Sequence, residues 1–350
     1  MKIAQVAPLV ESVPPTLYGG TERVVSWLTE ELVRRGHDVT LFASGDSVTQ
    51  AELVPIVPRA LRLDNRVRDS LPYNILMLDR VARQAQSFDV LHFHIDYFHY
   101  PQFRALSNRV LTTLHGRLDL PDLQPVYRAF PEMPLVSISE HQRLPMPPVN
   151  WMGTIHHGLP ASLFDLAPGP GRYLAFLGRI TPEKGPEQAI AIAKAAGIPL
   201  KIAAKVDAVD REYFKQRVEP LLGHPLVDYI GEINDAQKQE FLGNALAVLF
   251  PIDWPEPFGL VMIEAMACGT PVLAFRRGSV PEVLEQGVSG YIVENVDEAV
   301  AALPLVLKLS RAAIRREFER RFTVEKMAAQ YLEVYDRLVN GDARLAQAAA

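Results

Sequence analysis

One cysteine, Cys268, occurs in 350 residues, so no intrachain disulfide can form and a reducing compartment suits the chain. Positive charge is not in excess: 36 lysines and arginines stand against 41 aspartates and glutamates, for a net charge of −5. Without a global positive field a nucleic-acid backbone is not an expected partner. Long apolar runs are missing too. The opening "MKIAQVAP" meets Pro8 before it could form a signal-peptide core or a membrane span, so the expectation is a soluble, cytoplasmic protein. No G-x-x-x-x-G-K-[ST] and no G-x-G-x-x-G is present, which argues against NTPases and dehydrogenases. No H-E-x-x-H, paired cysteines or Asp-x-Asp occurs either, and no metal is expected.

What is present is ordinary globular composition, 48% apolar and 22% charged. The length exceeds the roughly 250 to 300 residues at which single cores stop growing, so two domains are expected. Short Val-, Ile-, Leu- and Phe-rich runs alternate with helical segments, the pattern of parallel sheets covered by helices on both faces. The expected strands are 2–7, 38–43, 89–94, 109–114, 134–138 and 152–156 in the first half. In the second half they are 172–177, 199–204, 226–230, 246–251, 271–275 and 290–293.

The halves echo each other. Strand, "YGGTE" loop, helix near 22–35, Gly36 and "HDVTLFAS" correspond to "YLAFLGRI", "TPEKG", helix near 186–196, Gly197 and "IPLKIAA". Val24, Val25, Leu28 and Leu32 share one helix face, as do Ala189, Ile192, Ala193 and Ala196. Pro186 suits a first helical position, and Gly36 and Gly197 suit left-handed helix ends. Two βαβ starts imply two doubly wound, Rossmann-like domains, expected at 1–160 and 171–320. The seam is expected in the Pro- and Gly-rich "HHGLPASLFDLAPGPGR". A helical segment over 321–342, containing the amphipathic "VEKMAAQYLEVYDRLV", is expected to return towards the first domain, with a fraying "LAQAAA" tail.

In open parallel sheets the ligand crevice lies beyond the carboxyl ends of the strands. Gly19 and Gly20 follow the first strand, His94 and Asp96 the third, His115 the fourth, and Ser139 the fifth, while His157 ends the sixth. Histidines 92, 94, 99, 115, 141, 156 and 157 crowd this half, and each also reads as a satisfied core or surface histidine. His92-x-His94 would share a face and reads alternatively as a metal pair. His115, between "RVLTTL" and a glycine, is the one expected to face a ligand, where imidazole suits a polar acceptor or a departing oxyanion.

In the second half Arg179 and Lys184 flank the turn "GRITPEKG" that enters a helix, a setting for an anionic ligand or for solvated surface charges. "ALAVLFPI" reads as a buried strand, "DWPEPFG" as the loop at its end, and "LVMIEAMACG" as a helix apolar on nearly every side. Its lone acid, Glu264, must find donors, because an unpaired buried carboxylate is costly. Ligand hydroxyls or an internal cation would supply them, and Phe258, Gly259 and Leu260 would add backbone N–H groups.

Glu256, seven intervening residues and Glu264, within "PEPFGLVMIEAMACGTPV" and followed by "GSVPEVLEQGVSGYIV", resemble the donor-site signature of family 4 glycosyltransferases. "YGGTERVV", "TTLHG", "FLGRITPEKG" and "YLEVYDRLV" extend the resemblance along the chain. It implies a retaining enzyme of GT-B architecture, two Rossmann-like domains facing a central cleft, that gives an α-glycoside without a metal or other cofactor. The implied co-substrate is a UDP- or GDP-linked sugar, UDP preferred, and the acceptor is a saccharide, a lipid-linked molecule or a small molecule.

Carried over by position, the resemblance implies that Gly19 and Gly20 approach the donor's phosphates and that Arg179 and Lys184 neutralise its diphosphate. Glu256 would hold hydroxyls of the transferred sugar, with backbone amides from Phe258, Gly259 and Leu260. Glu264 would accept from the ribose, the backbone of Glu232 and Ile233 would read the base, and His115 would stand near the reacting centre. The implied catalytic set is therefore His115, Glu256, Arg179 and Lys184, with His94, Asp96, Ser139 and His157 as acceptor-side candidates. "AAKVD" replaces the family's Gly-rich turn, so Lys205 either adds a phosphate or base contact or projects into solvent. A nucleotide-sugar 2-epimerase-like isomerase or a non-catalytic nucleotide-sugar-binding subunit are the alternatives. Residues 59–83, with six arginines against three aspartates, read as a solvated helical face or as a weak peripheral contact at the inner membrane face.

Overall fold

The computed structural model describes residues 1–16, 19–167 and 169–341. Tyr18 of the "YGGTE" loop, Pro168 of the seam and the "LAQAAA" tail lie outside the described residues. The chain divides into two compact units, one of Met1–Pro160 with the segment from Val324, the other of Ala161–Thr323.

In the first unit, β1 (Lys2–Val6), β2 (Asp38–Ser44), β3 (Glu52–Val57), β4 (Val90–Phe93), β5 (Val110–Thr113), β6 (Leu135–Ser137) and β7 (Trp151–Thr154) form a sheet in the order β3-β2-β1-β4-β5-β6-β7. Its strand pairs are parallel. Both faces are covered, so the central strands are buried along their length, as β4 and β5 are throughout. Ala4, Val6, Phe42, Leu91, Phe93, Val110 and Leu135 belong to the core.

β3 has no counterpart among the expected strands. Among the described residues it pairs only with β2, and it carries Pro55, a residue confined to sheet edges because it cannot donate to a ladder. The first helix, Gly20–Arg34, packs Val24, Val25, Leu28 and Leu32 inward. Val324–Asn340 groups with this unit and buries Met327, Ala328, Tyr331, Val334 and Tyr335, one stripe at helical spacing.

The second unit holds β8 (Tyr173–Arg179), β9 (Leu200–Lys205), β10 (Val227–Gly231), β11 (Ala245–Phe250), β12 (Val272–Phe275) and β13 (Gly290–Val293), in the order β10-β9-β8-β11-β12-β13. The helix Pro186–Ala196 ends at left-handed Gly197, φ 67°, as its sequence signals require. Leu174, Phe176, Ile190, Ala193, Leu200, Ile202, Leu249 and Leu273 form the core.

In each sheet the strand order reverses beside the first strand, at β1/β4 and at β8/β11. Such reversals open a crevice at the carboxyl ends of the two strands. The residues singled out after β1, β4, β8 and β11 therefore stand at the two switch points.

Candidate functional site

At the second switch point, β8 and β9 pair in register up to Arg179 opposite Lys205. Two cations thus end adjacent strands, and Asp207 sits between them. Its Oδ1 lies 2.8 Å from Lys205 Nζ and its Oδ2 3.5 Å from Arg179 Nη1, while Arg179 Nη2 is 3.7 Å from Glu183. Burial pushes the Asp207 carboxyl up, but the hydrogen bonds and charges of Lys205 and Arg179 outweigh it and hold the group below the usual range. Lys205 accordingly belongs to this charged cluster, and Asp207 is a member that sequence reasoning missed.

The turn after β8 closes through Gly185, at φ 70°. A side chain there would place its Cβ 2.1 Å from the carbonyl oxygen of Pro251, so only glycine lets this turn approach the loop after β11. That approach brings Lys184 to Glu256. The two pair directly, and Glu256 Oε2 also accepts from Trp254 Nε1 at 2.9 Å. The Lys184 ammonium lies 5.0 Å from the Trp254 ring centroid, a cation–π contact. The residues assigned above to diphosphate and to sugar are therefore joined to each other, because two charges at these low exposures need partners.

Beyond them, the carbonyl of Glu256 accepts from Ser279 N at 2.9 Å, and that of Phe258 from Ser279 Oγ at 2.8 Å. Left-handed Gly259, φ 82°, then opens the helix Leu260–Ala267. In its first turn Met262 N donates to the Gly259 carbonyl at 3.0 Å, and the N–H groups ahead of it suit that helix end to an anion or a hydroxyl.

Glu264 is 2% exposed on this helix. Of the two sources expected for its donors, ligand hydroxyls or an internal cation, the cation does reach it. Lys238 Nζ donates to its Oε1 at 2.7 Å, and the same ammonium lies 3.5 Å from Asp235. Oε2 is buried and has no hydrogen-bond partner among the described residues. Half of the carboxylate is thus held by the protein, and the other half presents an unfilled acceptor.

Lys238 was not found from sequence. Asn234 and Gln237 form a capping box at the start of the helix Asp235–Gly243, a local signal that places Lys238 in its first turns. That this turn faces Glu264 is a tertiary fact. Glu232 and Ile233 lead into that cap after β10, Glu232 exposed and Ile233 half-buried.

At the first switch point, Gly19 stands at the entry to the first helix. A Cβ there would meet Pro15 Cβ at 2.7 Å, so this loop too demands glycine, and Gly20 is the first helical residue. Asp96, after β4, has φ 53°, a left-handed backbone that only a few residue types such as aspartate tolerate. Burial raises its carboxyl pKa.

His92 and His94 do share a face, with ring centroids 4.1 Å apart, but protein partners engage both nitrogens of each ring. His92 bonds Tyr335 Oη at 2.7 Å and Thr113 Oγ1 at 2.8 Å, and His94 bonds His115 Nε2 and Gln5 Oε1, each at 2.8 Å. This replaces the metal-pair reading. Among the described residues no group of three or more His, Cys, Asp or Glu could hold an ion.

His157 stacks on His115, with centroids 5.3 Å apart at 19°. Burial lowers the pKa of all four imidazoles, that of His115 to about 3, so they are neutral near pH 7. Ser139, an acceptor-side candidate, also caps the short helix after β6: its Oγ accepts from Gln142 N at 3.1 Å. Gln142 in turn donates to the carbonyls of Leu114 and Gly116, at 2.9 and 2.8 Å, and so holds the backbone on either side of His115. "SEHQ" carries the S-x-x-Q capping pattern that points to this residue.

The second half of the chain matches the family model "Glycosyl transferases group 1" over residues 165–322, and the first half matches "Glycosyltransferase Family 4" over residues 18–175. The chain belongs to glycosyltransferase family 4.

The activity that goes with this family 4 glycosyltransferase is sugar transfer from a nucleotide-sugar donor. The enzyme is 26% identical to the phosphatidyl-myo-inositol mannosyltransferase of Mycobacterium leprae (strain TN), over 99% of each chain. It is 25% identical to the D-inositol 3-phosphate glycosyltransferase of Mycolicibacterium smegmatis, over 89% of this chain and 86% of that one. Among solved structures, AviGT4, a glycosyltransferase involved in avilamycin A biosynthesis, superposes with a TM-score of 0.75 at 25% identity, covering 97% of this chain and 98% of its own. Anabaena HepE in complex with UDP-glucose shares the fold, with a TM-score of 0.69 at 16% identity over 95% and 98% of the two chains. Two parallel Rossmann-like sheets, of seven and six strands among the described residues, are the GT-B fold of these glycosyltransferases.

Proposed function

We propose that the enzyme is a retaining hexosyltransferase that needs no metal, taking a sugar from a UDP- or GDP-linked donor, UDP preferred, and giving an α-glycoside. The observation that carries this reading is the group at the second switch point. Three cations, Arg179, Lys184 and Lys205, gather there with Glu256, the start of the helix Leu260–Ala267 and the unfilled Oε2 of Glu264.

Glycosyl transfer builds negative charge on the departing diphosphate. Fixed cations and oriented N–H groups aimed at it lower the transition state more than the ground state. Arg179 and Lys184 take that role, with Lys205 beside Arg179. Glu256 holds hydroxyls of the sugar, Glu264 Oε2 accepts from the ribose, and the backbone of Glu232 and Ile233 lies along the base. In the first unit, Gly19 and Gly20 approach the phosphates, His115 acts near the reacting centre with His94 hydrogen-bonded behind it, and Asp96, Ser139 and His157 stand on the acceptor side. The donor preference draws on the UDP-glucose complex of HepE, and the hydroxyl-bearing acceptor on the inositol compounds in the relatives' names.

A thermal-shift panel of nucleotide sugars tests the reading, because a ligand at 100 times its Kd stabilises the fold by about 2.7 kcal/mol. A UDP- or GDP-sugar is expected to raise Tm, and no shift with any of them overturns the reading. Product analysis with saccharide and inositol acceptors then separates transfer from isomerisation. His115→Ala is expected to lower turnover about a hundredfold with donor affinity largely kept, the scale of a lost acid–base group. Wild-type turnover removes His115 from the site.

Acceptor access from a membrane surface is part of the proposal. The helix Leu71–Gln84 exposes Leu71, Ile75 and Leu76 at 49%, 58% and 58%, within the arginine-rich stretch 59–83. No helix among the described residues is long and apolar enough to cross a membrane. The protein is expected to pellet with anionic vesicles at low ionic strength and to be released by salt. Failure to pellet ends the membrane contact.

A further inference from the structure

His115 lies at the end of a hydrogen-bonded chain that the donor-site chemistry does not use. Its Nε2 is 2.8 Å from His94 Nδ1, and His94 Nε2 is 2.8 Å from Gln5 Oε1. Gln5 Nε2 donates to Tyr335 Oη at 3.1 Å, and Tyr335 lies 2.7 Å from His92 Nδ1. His92 Nε2 then meets Thr113 Oγ1 at 2.8 Å, which meets Tyr331 Oη at 2.9 Å. Gln5 and Tyr335 are 0% exposed, as are His92 and Thr113, so water does not compete for these bonds.

Such a chain has a direction. An amide oxygen only accepts, so Gln5 Oε1 requires the proton on His94 Nε2. A neutral imidazole carries one proton, which makes His94 Nδ1 an acceptor, and His115 must then donate from Nε2. The remaining nitrogen, His115 Nδ1, is a bare lone pair, buried and without a hydrogen-bond partner among the described residues. Turning the Gln5 amide by half a rotation would reverse every donor in the chain, so this side chain sets the polarity.

We infer that Gln5, held by Tyr335 of the terminal helix, fixes His115 in its Nε2–H tautomer through His94, so that Nδ1 accepts a hydrogen bond from a sugar or acceptor hydroxyl. The inference rests on the proposed role of His115 and refines it. An imidazole with a bare Nδ1 cannot donate to the departing phosphate, so the expected oxyanion contact is replaced by a hydroxyl contact. Gln5, His94 and Tyr335 are positioning residues, and no covalent step is asked of them.

The test is the two-bond proton–nitrogen correlation spectrum of the full chain labelled with nitrogen-15 histidine, His115 being assigned by the signal lost in His115→Gln. The wild type is expected to show the His115 proton on Nε2, and a proton on Nδ1 overturns the inference. Gln5→Met, nearly isosteric and without an acceptor, is expected to populate both tautomers. Its kcat should fall in proportion, about twofold at equal populations, with donor KM unchanged. Gln5→Glu places a carboxylate against His94 and favours the imidazolium, which donates to His115 Nε2 and drives the proton to Nδ1. That variant is expected to lose about tenfold or more in kcat. Spectra of His115 unchanged in Gln5→Met overturn the inference. Wild-type turnover in His115→Ala sinks only the role of His115, since the tautomer is still read from the spectrum.

Discussion

Lys184→Met is expected to lower kcat by about a hundredfold to a thousandfold with a smaller rise in donor KM, the scale seen when one group that stabilises developing charge is removed. Methionine keeps the apolar stem against Trp254 and deletes only the charge. The cost has a structural side. Lys184 and Glu256 pair at side-chain exposures of 15% and 10%, and breaking such a pair leaves an uncompensated carboxylate. Trp254 Nε1 still donates to Glu256, which softens that loss.

A double variant separates the two effects. Lys184→Met with Glu256→Gln removes both charges and is expected to regain most of the lost Tm, while kcat stays as low as in the single variant or falls further. Steady-state kinetics and melting curves on the three variants decide it. A single variant with kcat within about threefold of wild type would remove Lys184 from charge stabilisation.

Glu264→Gln is expected to weaken nucleoside diphosphate binding by about tenfold to a hundredfold, the roughly 1.5 to 3 kcal/mol of a hydrogen bond to a charged group. The argument starts from Oε2. A buried carboxylate oxygen without a partner is a rare expense, and a ribose hydroxyl is the donor the proposal assigns to it. Glutamine keeps an oxygen for Lys238 or for the ribose, but not for both, and replaces the other acceptor with a donor.

Because Lys238 already holds Oε1, stability is also expected to fall, and the size of that fall needs its own reference. Lys238→Met leaves Glu264 charged and without its cation, so it should lower Tm more than Glu264→Gln does. Calorimetric titration with UDP and GDP reads the affinities. An unchanged Kd in Glu264→Gln would falsify the ribose assignment even if Tm drops.

The long elements were legible because their signals are local. Helix Pro186–Ala196 is announced by a proline at one end, a glycine at the other and an apolar stripe between. The strands flanking it are announced by continuous apolar runs that only a doubly covered sheet buries. β3 was not legible, since an edge strand with a proline lacks that run. At the site, the isolated acid of an apolar helix, the cations around a turn and the glycines that allow close approach could all be read from residue type and spacing.

The identity of each partner could not. Asp207 between Arg179 and Lys205, Lys238 on Glu264, Gln142 on the His115 loop, and Gln5 with Tyr335 behind His94 join residues up to 330 positions apart. Sequence by itself determined the fold class, the family and the residue types that meet a phosphate or a hydroxyl, because propensity, periodicity and turn chemistry act over a few neighbours. Only the tertiary structure decided which charges neutralise one another and which lone pairs stay open, because burial removes the water that would otherwise satisfy every polar group, and packing alone then chooses its replacement.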